Sequence, residues 1–368
     1  MLSIIVPTYN EKKNVFEVAS RVGQAMKDRD YEIVFIDDSS DETPKVLKQL
    51  AGENPRVRFR HRENKRGLAT AVILGFHEAR GDILAVMDAD LQHPPELLPV
   101  MHDKIQCGFD LVIPSRFISG GDDGGLSGLR KIVSKTGRLI AQVFLRGARL
   151  TTDPMSGFFM FKNHVMEGVE FNPVGWKILL EILVKGRCRR IGEVPYRFRP
   201  RAGDISKMSW REQWNYLRHI YRLVLNSPPD LRFWKFALVG LSGVGVNMLV
   251  FAVSLRGFGL PVLISSITAS GTAMFSNFLL NDKFTWPDVR RHRLLNRAVR
   301  FYLFCSAGIV INAAVLSILH QRLGLNKYLG QLAGIFMATL WNFFTNNRWT
   351  WGKSPETDRP SKCQVGGD

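Results

Sequence analysis

Asp88-Ala89-Asp90, followed by Leu91-Gln92, sets two carboxylates two residues apart at the end of the apolar run Ile83 to Met87. Residues two apart on an extended segment point to the same side, so both carboxylates can face one ion. Hard oxygen ligands with coordination positions left open suit Mg²⁺ or Mn²⁺ bridging a diphosphate. A departing nucleoside diphosphate develops negative charge, which such an ion stabilises. Taken alone, the pair reads also as two solvated loop acids. Two other clusters follow apolar runs in the same way, Pro7-Thr8-Tyr9-Asn10-Glu11 and Asp37-Asp38-Ser39-Ser40-Asp41. Taken alone, Asp37-Asp38 makes an equally good turn and helix N-cap.

The elements that position these clusters alternate in type. Ser3 to Pro7, Glu32 to Asp37, Val57 to Arg60, Ile83 to Asp88 and Leu111 to Pro114 predict strands. Asn14 to Lys27, Thr43 to Ala51, Leu68 to Ala79 and Pro94 to Cys107 predict the helices between them. Alternation of this kind implies an α/β fold with a mostly parallel sheet and right-handed crossovers. Ligands of such sheets sit beyond the carboxyl ends of the strands, where all three clusters lie.

From Phe233 to Trp351 the chain changes character and runs in long apolar stretches. Four spans are expected, about 235–255, 261–280, 301–320 and 328–346, each near the length of a bilayer core. Between the second and third lie Lys283, Arg290, Arg291, Arg293, Arg297 and Arg300, whereas the outer turns hold only Arg256, Arg322 and Lys327. The positive-inside bias puts the basic loop and both chain ends on the cytoplasmic side, consistent with an N-terminus that reads as no signal peptide. Ser276 to Trp286 resembles Trp341 to Trp351, and Gly243 and Asn247 match Gly308 and Asn312 at the same offset. A duplicated helical hairpin is therefore expected. Its asparagines read either as interhelical glue or as part of a substrate path. Trp210, Trp214, Leu217, Tyr221 and Val224 recur at helical spacing with Arg211, Arg218 and Arg222 on other faces, which predicts an interfacial helix near 204–225. Gly128 to Leu150 is amphipathic too, and reads equally as a helix on the soluble core or one against the membrane.

The net charge of +17 calls for a polyanionic partner. Membrane lipid is the simpler sink for it than nucleic acid, which is excluded from the expected partners. The four cysteines are scattered and fit a reduced compartment.

In their order, PTYNE (Pro7–Glu11), DDSSDET (Asp37–Thr43), MDADLQHPPE (Met87–Glu96), Ser115-Arg116, DPMSGFF (Asp153–Phe159) and the basic segment Tyr196–Met208 resemble the family-2 glycosyltransferases with the GT-A fold. Among these the first half looks most like dolichol-phosphate mannose synthases, and the second half resembles the GtrA-like membrane domain that some of them carry. The resemblance implies a GT-A (Rossmann-like) catalytic domain over 1–227, a four-helix transmembrane domain over 228–353 and a polar tail over 354–368. It implies that Pro7, Tyr9, Glu11, Ile36, Asp37 and Asp38 hold the nucleoside, and that Asp88, Ala89, Asp90 and Gln92 hold the metal and sugar diphosphate. Arg116, Arg201 and Lys207 would grip donor phosphate, Arg130 and Ser134 the lipid phosphate, and Asp153 would orient acceptor or sugar. Asp90, Arg116 and Asp153 are thus the expected catalytic residues.

The implied partners are a nucleotide-sugar donor, a polyprenyl or dolichyl phosphate, and membrane lipid. A phosphate monoester is already largely anionic at neutral pH, so it needs positioning by cations more than a strong general base. A single displacement would invert the donor's α-linkage. GDP-mannose is the expected donor. UDP-glucose as donor, or a lipid-linked sugar transporter or scaffold with a degenerate transferase half, are the alternatives.

Overall fold

The computed structural model describes residues 1–63, 67–122, 128–172, 174–197, 210–288 and 294–352, without the side chains of 128–130, 210, 327 and 328. The chain divides into two compact units, Met1–Asp230 and Leu231–Asp368.

The first unit is built on a seven-stranded sheet: β1 (Leu2–Thr8), β2 (Tyr31–Asp37), β3 (Val57–His61), β4 (Ile83–Val86), β5 (Leu111–Ser115), β6 (Phe159–Lys162) and β7 (Ile191–Pro195). Their spatial order is β3-β2-β1-β4-β6-β5-β7. All pairings are parallel except those of β6, which runs antiparallel between β4 and β5. Strands buried on both faces read as continuous apolar runs, and β1 and β2 are buried along their whole length.

The pleat of β1 feeds two cores. Leu2, Ile4 and Val6 pack with α1 (Val15–Ala25), α2 (Thr43–Glu53) and α4 (Leu98–Gln106). Ile5 packs on the other face with α3 (Leu68–Glu78) and α6 (Ile178–Lys185). The observed architecture is thus the doubly wound α/β layering expected from alternation. Sequence reading missed β6 and β7. Two amphipathic helices complete the unit, α5 (Gly128–Phe144) and α7 (Trp210–Asn226), and the Tyr216 hydroxyl of α7 donates to the Gly137 carbonyl of α5 at 2.6 Å.

The second unit is helical: α8 (Pro228–Ala252), α9 (Val262–Leu280), α10 (Leu294–Ser317) and α11 (Lys327–Thr345). Each passes into a π-helical turn, at Val253–Gly257, Asn281–Thr285, Ile318–Arg322 and Asn346–Thr350. With those turns, three helices among the described residues are long and apolar enough to cross a bilayer: Pro228–Gly257, Val262–Thr285 and Leu294–Arg322. Their outward faces expose large apolar side chains such as Leu241, Leu249, Leu303 and Val310, a surface suited to lipid.

An aromatic core lies between these helices. Trp286 and Trp351 stack with centroids 4.3 Å apart and planes 4° from parallel. Phe236 meets Trp286 as Phe301 meets Trp351, at 5.9 and 5.8 Å. The indole of Trp286 donates to Asn347 Oδ1 at 3.1 Å, and that of Trp351 donates to Asp282 Oδ1 at 2.9 Å. Lys235 donates to the Phe284 carbonyl and Arg300 to that of Trp349, at 3.2 and 2.8 Å. The two members of every such pair of contacts are related by one sequence offset, that between Trp286 and Trp351.

Candidate active site

The carboxyl ends of β1, β2, β4 and β5, all parallel, bring the acidic and basic clusters to one edge of the sheet. Behind β1 the chain turns at Asn10, with φ 59°, and behind β4 it turns at Leu91, also φ 59°. Asparagine tolerates the left-handed region, but for leucine it costs about 1–2 kcal/mol. That strain is spent directly after Asp90, where the turn carries Gln92 and His93 back toward Asp88.

Asp37 is fully buried. Its carboxylate accepts from Thr8 Oγ1 at 2.9 Å and Ser39 Oγ at 2.5 Å, and His61 Nδ1 lies 2.7 Å away. Ser39 Oγ in turn accepts from the Asn10 backbone N–H at 2.7 Å. Asp37 therefore ties the ends of β1 and β2 together, a role in the frame of the site. Asp38 turns the other way. Arg62 grips it with Nε to Oδ1 and NH2 to Oδ2, both at 2.6 Å, and the Gly67 N–H adds a bond at 3.1 Å. Pro7 and Ile36 are buried beneath these loops, whereas Tyr9 is exposed and Glu11 accepts from Asn14 Nδ2 at 2.6 Å.

Asp88 and Asp90 are half-buried and Ala89 between them points into the core. The Gln92 N–H donates to Asp90 Oδ1 at 3.1 Å. His93, buried on Phe158, accepts the Asp88 N–H at Nδ1, 3.2 Å away. Burial pushes its pKa down to about 4, so the ring is neutral at pH 7 and keeps the lone pair that this bond requires. A Cβ on Gly157 would lie 3.2 Å from Asp88 Oδ2 and 3.3 Å from His93 Cε1, so the glycine leaves room beside the carboxylate. Among the described residues no cluster of three or more His, Cys, Asp or Glu could cage a metal. What the turn offers is two carboxylates and an amide, the hard oxygen set with which Mg²⁺ or Mn²⁺ is held together with substrate phosphates. The donor set fits such an ion.

Arg116, just past β5, forks onto Asp153 with Nε to Oδ2 at 2.9 Å and NH2 to Oδ1 at 3.2 Å. Lys177 stands at the N-terminus of α6, and its Nζ donates to the Met155 carbonyl at 3.1 Å. Burial lowers its pKa, and the charges acting on it are those of Asp153, Arg116 and Asp88. Arg201 and Lys207 lie outside the described residues, as does the Arg130 side chain; position 130 and the half-buried Ser134 are on α5. Sequence reading missed His93, Gly157 and Lys177. The first two stood inside quoted motifs, MDADLQHPPE and DPMSGFF, where the carboxylates drew attention. No motif flagged Lys177.

Residues 3–168 match the model of glycosyl transferase family 2, and residues 235–351 match that of the GtrA/DPMS transmembrane domain. The chain is a glycosyltransferase of family 2 joined to a membrane domain. It is 40% identical over 351 residues to the dolichol-phosphate mannosyltransferase of Pyrococcus furiosus, covering 95% of this chain and 99% of that protein. It is 36% identical to the dolichol-phosphate mannosyltransferase of Saccharomyces cerevisiae, over 60% of this chain and 86% of that one. To the polyprenol monophosphomannose synthase of Mycolicibacterium smegmatis it is 34% identical, over 56% and 80% of the two chains. This chain belongs to the dolichol-phosphate mannosyltransferase family.

Proposed function

We propose that the protein transfers mannose from GDP-mannose to dolichyl or another polyprenyl phosphate, inverting the donor's α-linkage to give a β-linked lipid phosphate sugar. The observation that carries this reading is the likeness to an archaeal dolichol-phosphate mannosyltransferase along nearly the whole chain, through both units.

Each site residue has a role in the proposal. Tyr9, Glu11 and Asp38 receive the nucleoside above the buried Pro7 and Ile36, while Asp37 holds the two loops that form that floor. Asp88, Asp90 and Gln92 hold Mg²⁺ or Mn²⁺ with the sugar diphosphate. When bound, the ion offsets the charge that develops on the departing nucleoside diphosphate. His93 holds the Asp88 backbone N–H for that task, and Gly157 leaves room beside the carboxylate. Arg116, Arg201 and Lys207 take donor phosphate oxygens, with Arg201 offering a planar fork and Arg116 held in place by Asp153. Arg130 and Ser134 bring in the lipid phosphate, and Asp153 orients sugar or acceptor through its pairing with Arg116. The acceptor is already an anion, so alignment with the anomeric carbon is the main requirement.

In the same reading the catalytic domain spans 1–227 and the membrane domain 228–353, with four spans from a duplicated hairpin. Contacts repeating at one offset, Trp286 with Asn347 and Trp351 with Asp282 among them, support the duplication. The catalytic domain and both chain ends are cytoplasmic, following the basic residues between the second and third spans.

A donor screen tests the proposal. Purified full-length protein in vesicles containing polyprenyl phosphate is given labelled GDP-mannose or UDP-glucose with Mg²⁺ or Mn²⁺. Labelled mannosyl lipid in the β configuration is expected. Transfer from UDP-glucose alone would replace the donor assignment, and lipid-linked sugar movement without transfer would favour the transporter reading.

A further inference from the structure

Lys177 is a cation at the edge of the site whose role the reaction described so far leaves open. Among the described residues its Nζ has one hydrogen bond, to a backbone carbonyl, and no carboxylate lies within ion-pair distance of it. Asp153, whose charge acts on it ahead of that of Asp88, is already engaged by both arms of Arg116. An ammonium group has three donors, and a partly desolvated one with a single neutral acceptor favours an anion nearby.

The direction of that anion follows from how α5 lies along the loop before β6. Gln142 Nε2 donates to the Thr151 carbonyl at 3.2 Å, and Arg138 NH1 donates to that of Thr152 at 3.3 Å. A Cβ on Gly137 would stand 3.3 Å from Met155 Sδ. As the loop advances from Thr151 to Met155, its neighbours on α5 therefore step back from Gln142 to Gly137. Ser134 is the next position on that helical face, and position 130 follows it one turn further. Met155 thus packs its side chain under the turn that presents Ser134, while its carbonyl holds Lys177.

We infer that Lys177 is a binding residue for the acceptor's phosphate monoester, joining the α5 face of Ser134 from the opposite side of the Met155 loop. The inference rests on the proposed function, since it takes the lipid phosphate to approach along α5. The acceptor carries between one and two negative charges, and Lys177 supplies a positive charge beside the Arg116–Asp153 pair, whose own two charges offset each other. A lysine suits the task, because a mobile point charge can follow a phosphate without a fixed planar geometry.

The test uses full-length protein in detergent, with farnesyl phosphate and farnesol as probes and Lys177→Gln and Lys177→Arg as variants. Loss of a charge-assisted bond of about 1.5–3 kcal/mol corresponds to roughly ten- to hundred-fold weaker binding. That loss is expected for farnesyl phosphate in Lys177→Gln, with farnesol binding and GDP-mannose affinity unchanged and Lys177→Arg partly restored. Equal weakening of farnesol, or of donor, would make Lys177 a structural residue and overturn the inference. So would farnesyl phosphate binding within two-fold of the parent protein. If the parent binds farnesyl phosphate but transfers no sugar to it or to longer prenyl phosphates, the proposed function fails while phosphate recognition by Lys177 is still judged by the binding arm.

Discussion

Arg116 and Asp153 form a two-bond ion pair that joins the carboxyl end of β5 to the loop ahead of β6, with Asp153 almost wholly buried. Removing one member of a buried pair strands the other charge, at about 3–5 kcal/mol. Asp153→Ala should therefore lower the melting temperature as well as transfer. The double variant Arg116→Met with Asp153→Leu removes both charges and should regain most of the stability while staying inactive. Recovery of transfer in the double variant would reduce the pair to a structural element.

Gly157→Ala isolates the geometry of the carboxylate turn. The added methyl would sit 3.2 Å from Asp88 Oδ2, tighter than ordinary contact, so the carboxylate or the loop must shift. Overpacking of this kind costs about 1–3 kcal/mol, which at the reacting centre is roughly ten- to hundred-fold in rate. Slower turnover and a higher Mn²⁺ concentration for half-maximal activity are expected, with melting lowered by no more than that cost. A normal metal titration would show that Asp88 is not held where this fold places it.

The membrane unit offers a paired test. A Cβ on Gly243 would collide with the Asn277 side chain, and one on Gly308 with that of Asn342, whereas Gly240 and Gly271 have nothing within 4 Å. Gly243→Ala and Gly308→Ala should each lower thermal stability in detergent by a similar amount, and Gly240→Ala and Gly271→Ala should not. Unequal effects at Gly243 and Gly308 would contradict equivalent helix crossings.

Acid stability should depend on Glu181, buried on α6. Burial alone would raise its pKa, but His219 beside it, the Lys185 ammonium and the Asn172 N–H together hold it below the usual carboxylate range. A depressed folded-state pKa contributes stability above the unfolded value, near 4.3 for glutamate, and loses it as pH falls through the folded value. Glu181→Gln should thus lower stability at pH 7 and flatten the loss of stability on acidification. An acid limb identical to that of the parent protein would remove Glu181 from the titrating groups.

Much of this architecture was legible because β1 to β5 and the first four helices are local. Apolar runs such as Leu84 to Met87 end in acids, and helical stretches such as Leu68 to Glu78 carry their own period. The strand β6 escaped notice because its four residues, Phe159 to Lys162, gain their identity only from β4 and β5, distant in sequence. The acidic clusters could be located from sequence, but their division of labour could not. Asp37 and Asp38 are neighbours of one chemical type, and only the tertiary fold gives one to Thr8, Ser39 and His61 and the other to Arg62. Lys177 gave no signal, since a lone lysine before a helix has meaning only through the loop it meets.

The most direct test is mannosyl transfer by Asp90→Ala and by the parent protein, each assayed in vesicles containing polyprenyl phosphate with Mn²⁺, and again after chelation with EDTA. Asp90 lies in the turn whose hard oxygen donors fit a divalent ion, and its Oδ1 accepts the Gln92 N–H. Parent turnover that stops with EDTA and returns with Mn²⁺ or Mg²⁺ is expected, together with a folded Asp90→Ala that transfers no mannose under any condition. Mannosyl lipid formed at the parent rate by Asp90→Ala, or by the parent in EDTA, would contradict the assignment of the metal and of the reaction to this turn.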